Sequence, residues 1–135
     1  MAEKAAIEEL ITAAYDARHR GDLDAVMGFF HPSCSYRMAG TGDVGPVSVE
    51  PDGLDAVRAQ MAGFIATFRF DNIEKLATIV DGDKATLHWR ADVTFLPTGR
   101  MARFEVMDLF TFADGKVLSL TQFTDTAGVA RLMEA

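Results

Sequence analysis

Residues 110–125 have the sequence FTFADGKVLSLTQFTD, and this stretch decides the fold that the chain is expected to adopt. Two runs rich in aromatic and β-branched residues flank Asp114-Gly115, a dipeptide typical of a two-residue hairpin turn. Asp81-Gly82-Asp83 and Pro97-Thr98-Gly99 separate earlier runs of the same kind. The predicted strands lie near residues 69–80, 84–96, 100–112 and 116–125. The second half of the chain is therefore predicted to form a four-stranded antiparallel meander.

The first half of the chain has helical periodicity instead. Apolar residues recur at i, i+3, i+4 and i+7 from Ile7 to Tyr15, and Gly21 is expected to end that helix. Asp22 can cap a second, short helix, because its side chain can accept a hydrogen bond from a free backbone N–H of the first turn. Two helices are therefore predicted before residue 32.

A third helix is predicted from about residue 54 to residue 68, and residues 126–135 are expected to form a short closing helix. A short strand around Tyr36 and a long loop rich in Gly and Pro precede the third helix. Loops of this length inside compact domains are usually functional or mobile. Helices followed by an antiparallel meander predict an α+β fold with the helices on one face of the sheet.

Composition and charge limit the functions open to the chain. Its 135 residues, 49% of them hydrophobic, suffice for a single domain over residues 1–135. The formal net charge of −7 argues against nucleic-acid binding, because phosphate contacts need a basic face. No apolar run is long enough to span a membrane, and the acidic start is unlike a signal peptide. One cysteine fits a reducing compartment, so a cytoplasmic protein is expected. The three histidines lack metal-ligand spacing, so no metal or other cofactor is expected.

The hairpins predict which side chains share a face of the sheet, because directly opposed residues point to the same side. A two-residue loop at Asp114-Gly115 pairs residue 108 with 121 and residue 104 with 125. A three-residue loop at Pro97-Thr98-Gly99 pairs residue 92 with 104, 90 with 106 and 88 with 108, and this loop suits proline first and glycine last. One face of ionisable and aromatic groups is then predicted to form the floor of a pocket: His88, Arg90, Asp92, Thr94, Phe104, Val106, Asp108, Phe110, Thr121, Phe123 and Asp125.

The opposite face of the predicted sheet is also too apolar to meet water. It would carry Leu87, Trp89, Val93, Phe95, Met107, Leu109, Leu118 and Leu120. A sheet that is wet on one side alternates cleanly between apolar and polar residues, and helices cover only one side. A homodimer that forms through the sheet is therefore expected.

The order of these elements resembles a known superfamily. The segment GDLDAVMGFFHP, a strand, a Gly-rich loop, a helix and the meander that ends in FTFADGKVLSLTQFTD are similar to nuclear-transport-factor-2-like proteins. The resemblance covers nearly the whole chain and is nearest to the SnoaL-like branch, which includes ketosteroid isomerases, polyketide cyclases and limonene-epoxide hydrolases. It implies a cone-shaped, cystatin-like fold whose N-terminal helices pack on a curved antiparallel sheet, with a pocket between them.

The resemblance to the epoxide hydrolases runs through RADVTFLPTGR. Their Arg-x-Asp pair falls on Arg90 and Asp92, their second aspartate on Asp125 and their water-holding tyrosine on Tyr36. Their companion asparagine is replaced by Met38, whose thioether is a weak hydrogen-bonding group. The resemblance implies that Asp125 activates a water held by Tyr36, protonated Asp92 donates to the leaving oxygen and Arg90 bridges the two carboxylates.

The resemblance to the ketosteroid isomerases runs through VMDLFTF. Their oxyanion-hole aspartate falls on Asp108, their catalytic base on Met38, and their oxyanion tyrosine on Ala14, one place short of Tyr15. Contacts to the substrate are expected from Tyr15, Met38, His88, Phe104, Val106, Phe110 and Phe123.

The leading hypothesis is a cofactor-independent acid–base enzyme that acts on an apolar small molecule by epoxide-hydrolase-like addition of water. The first alternative is an isomerase or cyclase that enolises a carbonyl compound, with Asp108 and a tyrosine at the oxygen. The second is a non-catalytic protein that binds a small ligand. Structural interpretations of the same residues remain open: Arg90 and Asp92 could form a cross-strand ion pair, and Asp108 could be a buried carboxyl that bonds to Tyr15 or His88.

Overall fold

The computed structural model describes residues 4–40 and 50–134 and has the predicted α+β architecture. Part of the predicted Gly- and Pro-rich loop, residues 41–49, lies outside the described residues. No helix in the described ranges is long and apolar enough to cross a membrane. The elements are α1 (Lys4–Arg20), α2 (Leu23–Met27), β1 (Phe30–Met38), α3 (Leu54–Thr67), β2 (Phe68–Asp81), β3 (Lys84–Phe95), β4 (Arg100–Ala113), β5 (Lys116–Phe123) and α4 (Thr126–Leu132).

The strands form one sheet in the order β1-β5-β4-β3-β2. The predicted meander comprises β2 to β5, which pair with one another in antiparallel fashion. Strand β1 pairs in parallel with β5 and makes the sheet mixed. Helix α1 contacts β2 and α3 contacts β1, so the helices cover one face of the curved sheet. We call this covered face, which carries Trp89, Val106 and Asp108, the inner face, and the side that carries Arg90, Glu105 and Leu109 the outer face.

The predicted helix ends are confirmed by their caps. Gly21 has φ +71°, and the N–H groups of Gly21 and Asp22 bond back to the carbonyls of Arg18 and Ala17, each at 3.0 Å. This left-handed glycine closes α1 as expected. The side chain of Asp22 then caps α2 by accepting from the backbone N–H of Ala25 at 3.1 Å.

The predicted three-residue loop at Pro97 is wrong, because Leu96 also belongs to the loop. Phe95 pairs with Arg100, and its carbonyl accepts from the N–H groups of Thr98 at 3.2 Å and Gly99 at 2.8 Å. The added residue shifts the register by one, and a shift of one turns every side chain of a strand to the other face. Burial decides between the two registers: Leu87, Trp89, Ala91, Val93 and Phe95 fill the core, whereas the predicted register would have turned them outward.

The predicted pairing across the last hairpin is also wrong beyond its first residues. Phe112 pairs with Val117, as predicted, but Thr111 pairs with Ser119, so Leu118 is the extra residue of a β-bulge. A bulge changes the side to which the following residues point. Gln122 therefore faces inward opposite Asp108, while the predicted pocket residues Thr121 and Phe123 lie on the outer face.

Candidate active site

A cavity of about 130 Å³ lies between the inner face and the helices. Its walls are mainly apolar and include Met61, Phe64, Phe104, Val106, Phe110, Val129 and Leu132. Seven of its lining residues carry polar or charged groups: Tyr15, Arg18, Tyr36, Trp89, Asp108, Gln122 and Thr124. An apolar pocket with a few convergent polar groups is the usual form of a small-molecule site.

Asp108 is the central polar group of this cavity. It lies on β4 between β3 and β5, and only 1% of its surface is exposed. The Tyr15 hydroxyl and the indole N–H of Trp89 both donate to Oδ2, the latter at 2.8 Å. The other oxygen, Oδ1, is buried and has no hydrogen-bond partner among residues 4–40 and 50–134. One oxygen of the carboxyl is thus held in place by two donors, and the other is buried without a hydrogen-bond partner in the described ranges.

Burial raises the pKa of Asp108 from 3.8 to about 6, because an apolar cavity disfavours the charged form. The hydrogen bonds from Tyr15 and Trp89, and the side-chain amide of Gln122 on the neighbouring strand, act in the opposite direction and lower this pKa. A carboxyl group with a pKa near 6 can both accept and return a proton close to neutral pH.

Two tyrosines flank the carboxyl group, and both keep their protons. Burial, and the nearby Asp108, raise the pKa of Tyr15 and that of Tyr36 well above 10. The ring of Tyr15 packs edge-on against Trp89 with 5.5 Å between centroids. The Tyr36 hydroxyl donates to the side-chain Oε1 of Gln122 at 3.0 Å. A line of polar groups therefore crosses the apolar cavity from Tyr36 through Gln122 to Asp108 and Tyr15.

Arg18 is a second charged group in the cavity wall. It lies in the last turn of α1 with 9% of its surface exposed, and its Nη2 donates to the carbonyls of Phe68 at 2.9 Å and Phe64 at 3.3 Å. Its guanidinium carbon lies 4.0 Å from the centre of the Phe70 ring, which is a cation–π contact. Burial lowers the pKa of Arg18 to about 10, so it remains charged at neutral pH.

The structure brings together about half of the predicted site residues. Those that line the cavity are Tyr15, Tyr36, Met38, Phe104, Val106, Asp108 and Phe110. Those that lie outside it are His88, Arg90, Asp92, Phe123 and Asp125. The predicted bond between Asp108 and Tyr15 is present, whereas His88 pairs with Glu105 on the outer face at 2.6 Å.

The predicted Arg90 and Asp92 pair belongs to an ion-pair network on the outer face. Arg90 bonds to Glu74 at 3.2 Å, and Arg103 bonds to both Glu74 and Asp92, the latter at 3.0 Å. Hydrogen bonds from Asn72 and Arg103 lower the pKa of Asp92, which is the reverse of what a proton donor needs. Arg90 and Asp92 therefore each form an ion pair with a side chain of a neighbouring strand and not with each other.

Asp125 has a structural role as well. It follows the end of β5 and caps α4, where its side chain accepts from the backbone N–H of Gly128 at 2.9 Å. Its side chain is 61% exposed and lies 3.7 Å from Arg131. The placement of Asp125 opposite Phe104 is wrong, because β5 ends at Phe123 before that pairing is reached.

Sequence reasoning missed four polar residues of the cavity: Arg18, Trp89, Gln122 and Thr124. Arg18 could have been found, since it continues the helical stripe of Ile11, Ala14 and Tyr15 at spacings of seven, four and three. The face on which Trp89 and Gln122 lie depends on the strand register, and nothing else in the sequence indicated that register.

Residues 11–120 match the family described as the SnoaL-like domain. The chain belongs to the SnoaL-like family. No protein in the comparison with curated sequences matches significantly. Solved structures that are 17–22% identical to this SnoaL-like protein confirm the predicted nuclear-transport-factor-2-like fold and show the fold alone.

Three of these structures illustrate the likeness. A nuclear-transport-factor-2-like protein of unknown function from Burkholderia pseudomallei has a TM-score of 0.83 and 21% identity, over 95% of this chain and 97% of that protein. A Rhodopseudomonas palustris protein provisionally called an isomerase has a TM-score of 0.81 and 17% identity, over 98% and 97%. TerC, crystallised with polyporic acid, has a TM-score of 0.79 and 22% identity, over 94% and 97%.

Proposed function

We propose that this SnoaL-like protein is a cofactor-independent isomerase that moves a proton on an apolar carbonyl compound, with Asp108 as the group that carries the proton. One observation carries the proposal: a carboxyl with a pKa of about 6 lies in an apolar cavity with one oxygen fixed by two donors and the other free. Perturbed carboxyl groups in clefts are typical of acid–base catalysts.

The hydrogen bonds of Asp108 give its two carboxyl oxygens different roles. Oδ2 accepts from Tyr15 and Trp89, so the proton of the neutral form resides on Oδ1. Ionised Oδ1 takes a proton from the carbon beside the carbonyl. The C–H electron pair then forms a new C=C bond, and the C=O π pair moves onto the oxygen to give an enolate. Tyr36, which stays protonated, turns its single O–H from Gln122 Oε1 to that oxygen and donates to it. Return of the proton from Oδ1 to another carbon of the conjugated system completes the isomerisation and restores the carboxylate.

Addition of water to an epoxide through Arg90, Asp92 and Asp125 is not part of this proposal, because all three lie outside the cavity. The solved relatives add modest support: one is provisionally called an isomerase, and TerC was crystallised with a small organic acid.

Proton exchange in heavy water tests the proposal without knowledge of the natural substrate. A panel of cyclic enones and their β,γ-unsaturated isomers is incubated with the protein, and NMR follows deuterium at the carbon beside the carbonyl. Asp108→Asn should slow exchange by about 10²–10⁴-fold, as is typical for the loss of an acid–base group. Asp92→Asn makes the same chemical change on the outer face and should leave exchange unchanged. Equal rates in the parent and Asp108→Asn would refute the proposal, and ligand binding without exchange would favour a non-catalytic binding protein.

We also propose that the protein works as a homodimer joined through the outer face. Apolar side chains are exposed there on three strands, among them Ile79, Met107, Leu109 and Phe123. Beside them lie two arginines and two carboxylates, Arg90, Arg103, Glu74 and Asp92, so both signs of charge occur on one patch. A twofold interface places a patch against its own copy, which a patch with balanced charge tolerates.

A further inference from the structure

Arg18 is a buried cation without a counter-ion. It lines the cavity with 9% of its surface exposed, yet no carboxylate among residues 4–40 and 50–134 lies within 4.0 Å of it. Buried charges in proteins are normally paired, because an isolated charge loses its hydration without compensation. This arginine therefore calls for an explanation beyond packing.

The hydrogen bonds that Arg18 makes account for only part of its donors. A guanidinium group has five N–H donors in a rigid plane. Both bonds that involve the side chain start from Nη2 and end at the carbonyls of Phe68 and Phe64. Nε and Nη1 have no hydrogen-bond partner in the described part of the chain. The two bonds and the Phe70 ring fix the guanidinium plane, and its remaining donors are available in the cavity wall.

Arg18 and Asp108 form two separate poles of the cavity. The pKa of Tyr36 is raised by Asp108 and lowered by Arg18, so Tyr36 lies within electrostatic range of both groups. No ion pair within 4.0 Å joins Arg18 to Asp108, whose Oδ2 accepts from Tyr15 and Trp89. The cation therefore does not neutralise the proton-carrying carboxyl and is free to meet an anion on a ligand.

We propose that Arg18 binds a carboxylate of the ligand, so that the molecule taken into this cavity is an apolar acid whose body lies against the aromatic wall and Asp108. Guanidinium groups bind carboxylates through parallel N–H···O bonds, which give both strength and orientation. Together with the proposed function, on which this last step rests, the substrate is a carbonyl compound that also carries a carboxylate.

Binding of a matched pair of probes tests this inference. 3-Phenylpropionate and 3-phenylpropionamide have nearly the same shape, and only the first is charged. Calorimetry, or the fluorescence of Trp89, the single tryptophan and a cavity residue, measures the two dissociation constants. The parent should bind the carboxylate at least about tenfold more tightly, since a hydrogen bond to a charged group contributes roughly 1.5–3 kcal/mol. Equal affinities, or no binding of either probe at millimolar concentration, would overturn the inference.

Variants assign the preference to this side chain. Arg18→Gln should bind both probes equally, whereas Arg18→Lys should keep part of the preference because it keeps the charge. Arg58→Gln, which removes an exposed arginine paired with Asp24 at 2.5 Å, should behave as the parent does. A preference that survives in folded Arg18→Gln would refute the role of Arg18. If that variant does not fold, Arg18→Lys and the comparison of probes on the parent still decide.

The same samples separate this inference from the proposed function. Asp108→Asn should lose proton exchange and keep the preference for the carboxylate. A preference without exchange in the parent would leave the anion site standing and refute the isomerase. Proton exchange without a preference for the carboxylate would support the isomerase and refute the anion site.

Discussion

At the scale of the residue, the group proposed for catalysis also weakens the fold at neutral pH. The pKa of Asp108 is raised from 3.8 to about 6, so between about pH 4 and pH 6 the folded protein holds a proton that the unfolded chain has released. The free energy of unfolding therefore falls as the pH rises through this window. A pKa difference of this size corresponds to about 3 kcal/mol above pH 6. Active sites commonly lower the free energy of unfolding in this way, because the arrangement that activity needs is not the most stable one.

Asp108→Asn should therefore be more stable than the parent at pH 7, while losing exchange activity. The amide oxygen can still accept from Tyr15 and Trp89, but no charge remains to be buried. Denaturant unfolding should show a gain of up to about 3 kcal/mol at pH 7 that shrinks as the pH falls toward 4. Asp92→Asn is the matched control of opposite sign: the pKa of Asp92 is lowered in the folded state, so its loss should destabilise slightly at pH 7. Destabilisation of Asp108→Asn at pH 7 would contradict this account.

At the scale of the element, α4 closes the cavity with Val129 and Leu132, and Asp125 caps its first turn. Asp125→Ala should lower the free energy of unfolding by about 1 kcal/mol, because it removes the cap, whereas asparagine is as good a cap as aspartate. Asp125→Asn should therefore match the parent in stability and, within about twofold, in proton exchange. Chemical denaturation and the exchange assay check both points. A hundredfold loss of exchange in Asp125→Asn would show that this side chain takes part in the proton transfer, contrary to the capping role.

The elements themselves were predictable from local signals, whereas their registers were not. Hairpin dipeptides placed β2 to β5 within two residues at each end, and apolar periodicity placed α3 within one, because both signals are local. The faces depended on single residues: Leu96, which joins the Pro97 loop, and Leu118, which forms the bulge. The length of the loop and the position of the bulge are decided by which side chains reach the core. This tertiary effect overrides the local preferences of the turns. This is why Asp108, Tyr15 and Tyr36 were placed correctly in the cavity while Arg90, Asp92 and Asp125 were not.

At the scale of the whole molecule, the two faces of the sheet carry different kinds of groups. The inner face holds the cavity and its two charged poles, and the outer face holds paired charges and exposed apolar groups. A register slip of one residue would exchange these roles and bury the ion-pair network. The outer face can therefore change without direct loss of the chemistry, which makes the proposed dimer testable by substitution there.

Leu109→Glu should convert the proposed homodimer into a monomer. Leu109 is 37% exposed on β4, two residues after Met107 and on the same outer face. A twofold axis would bring two new carboxylates into the same apolar interface. Burial of unpaired charge there is unfavourable enough to separate subunits. Leu96→Glu is the matched control, since Leu96 is 42% exposed but lies in the loop at the end of the sheet. Sedimentation velocity at micromolar concentration should give a dimer for the parent and Leu96→Glu and a monomer for Leu109→Glu. A monomeric parent, or a dimeric Leu109→Glu, would show that the outer face is not the interface.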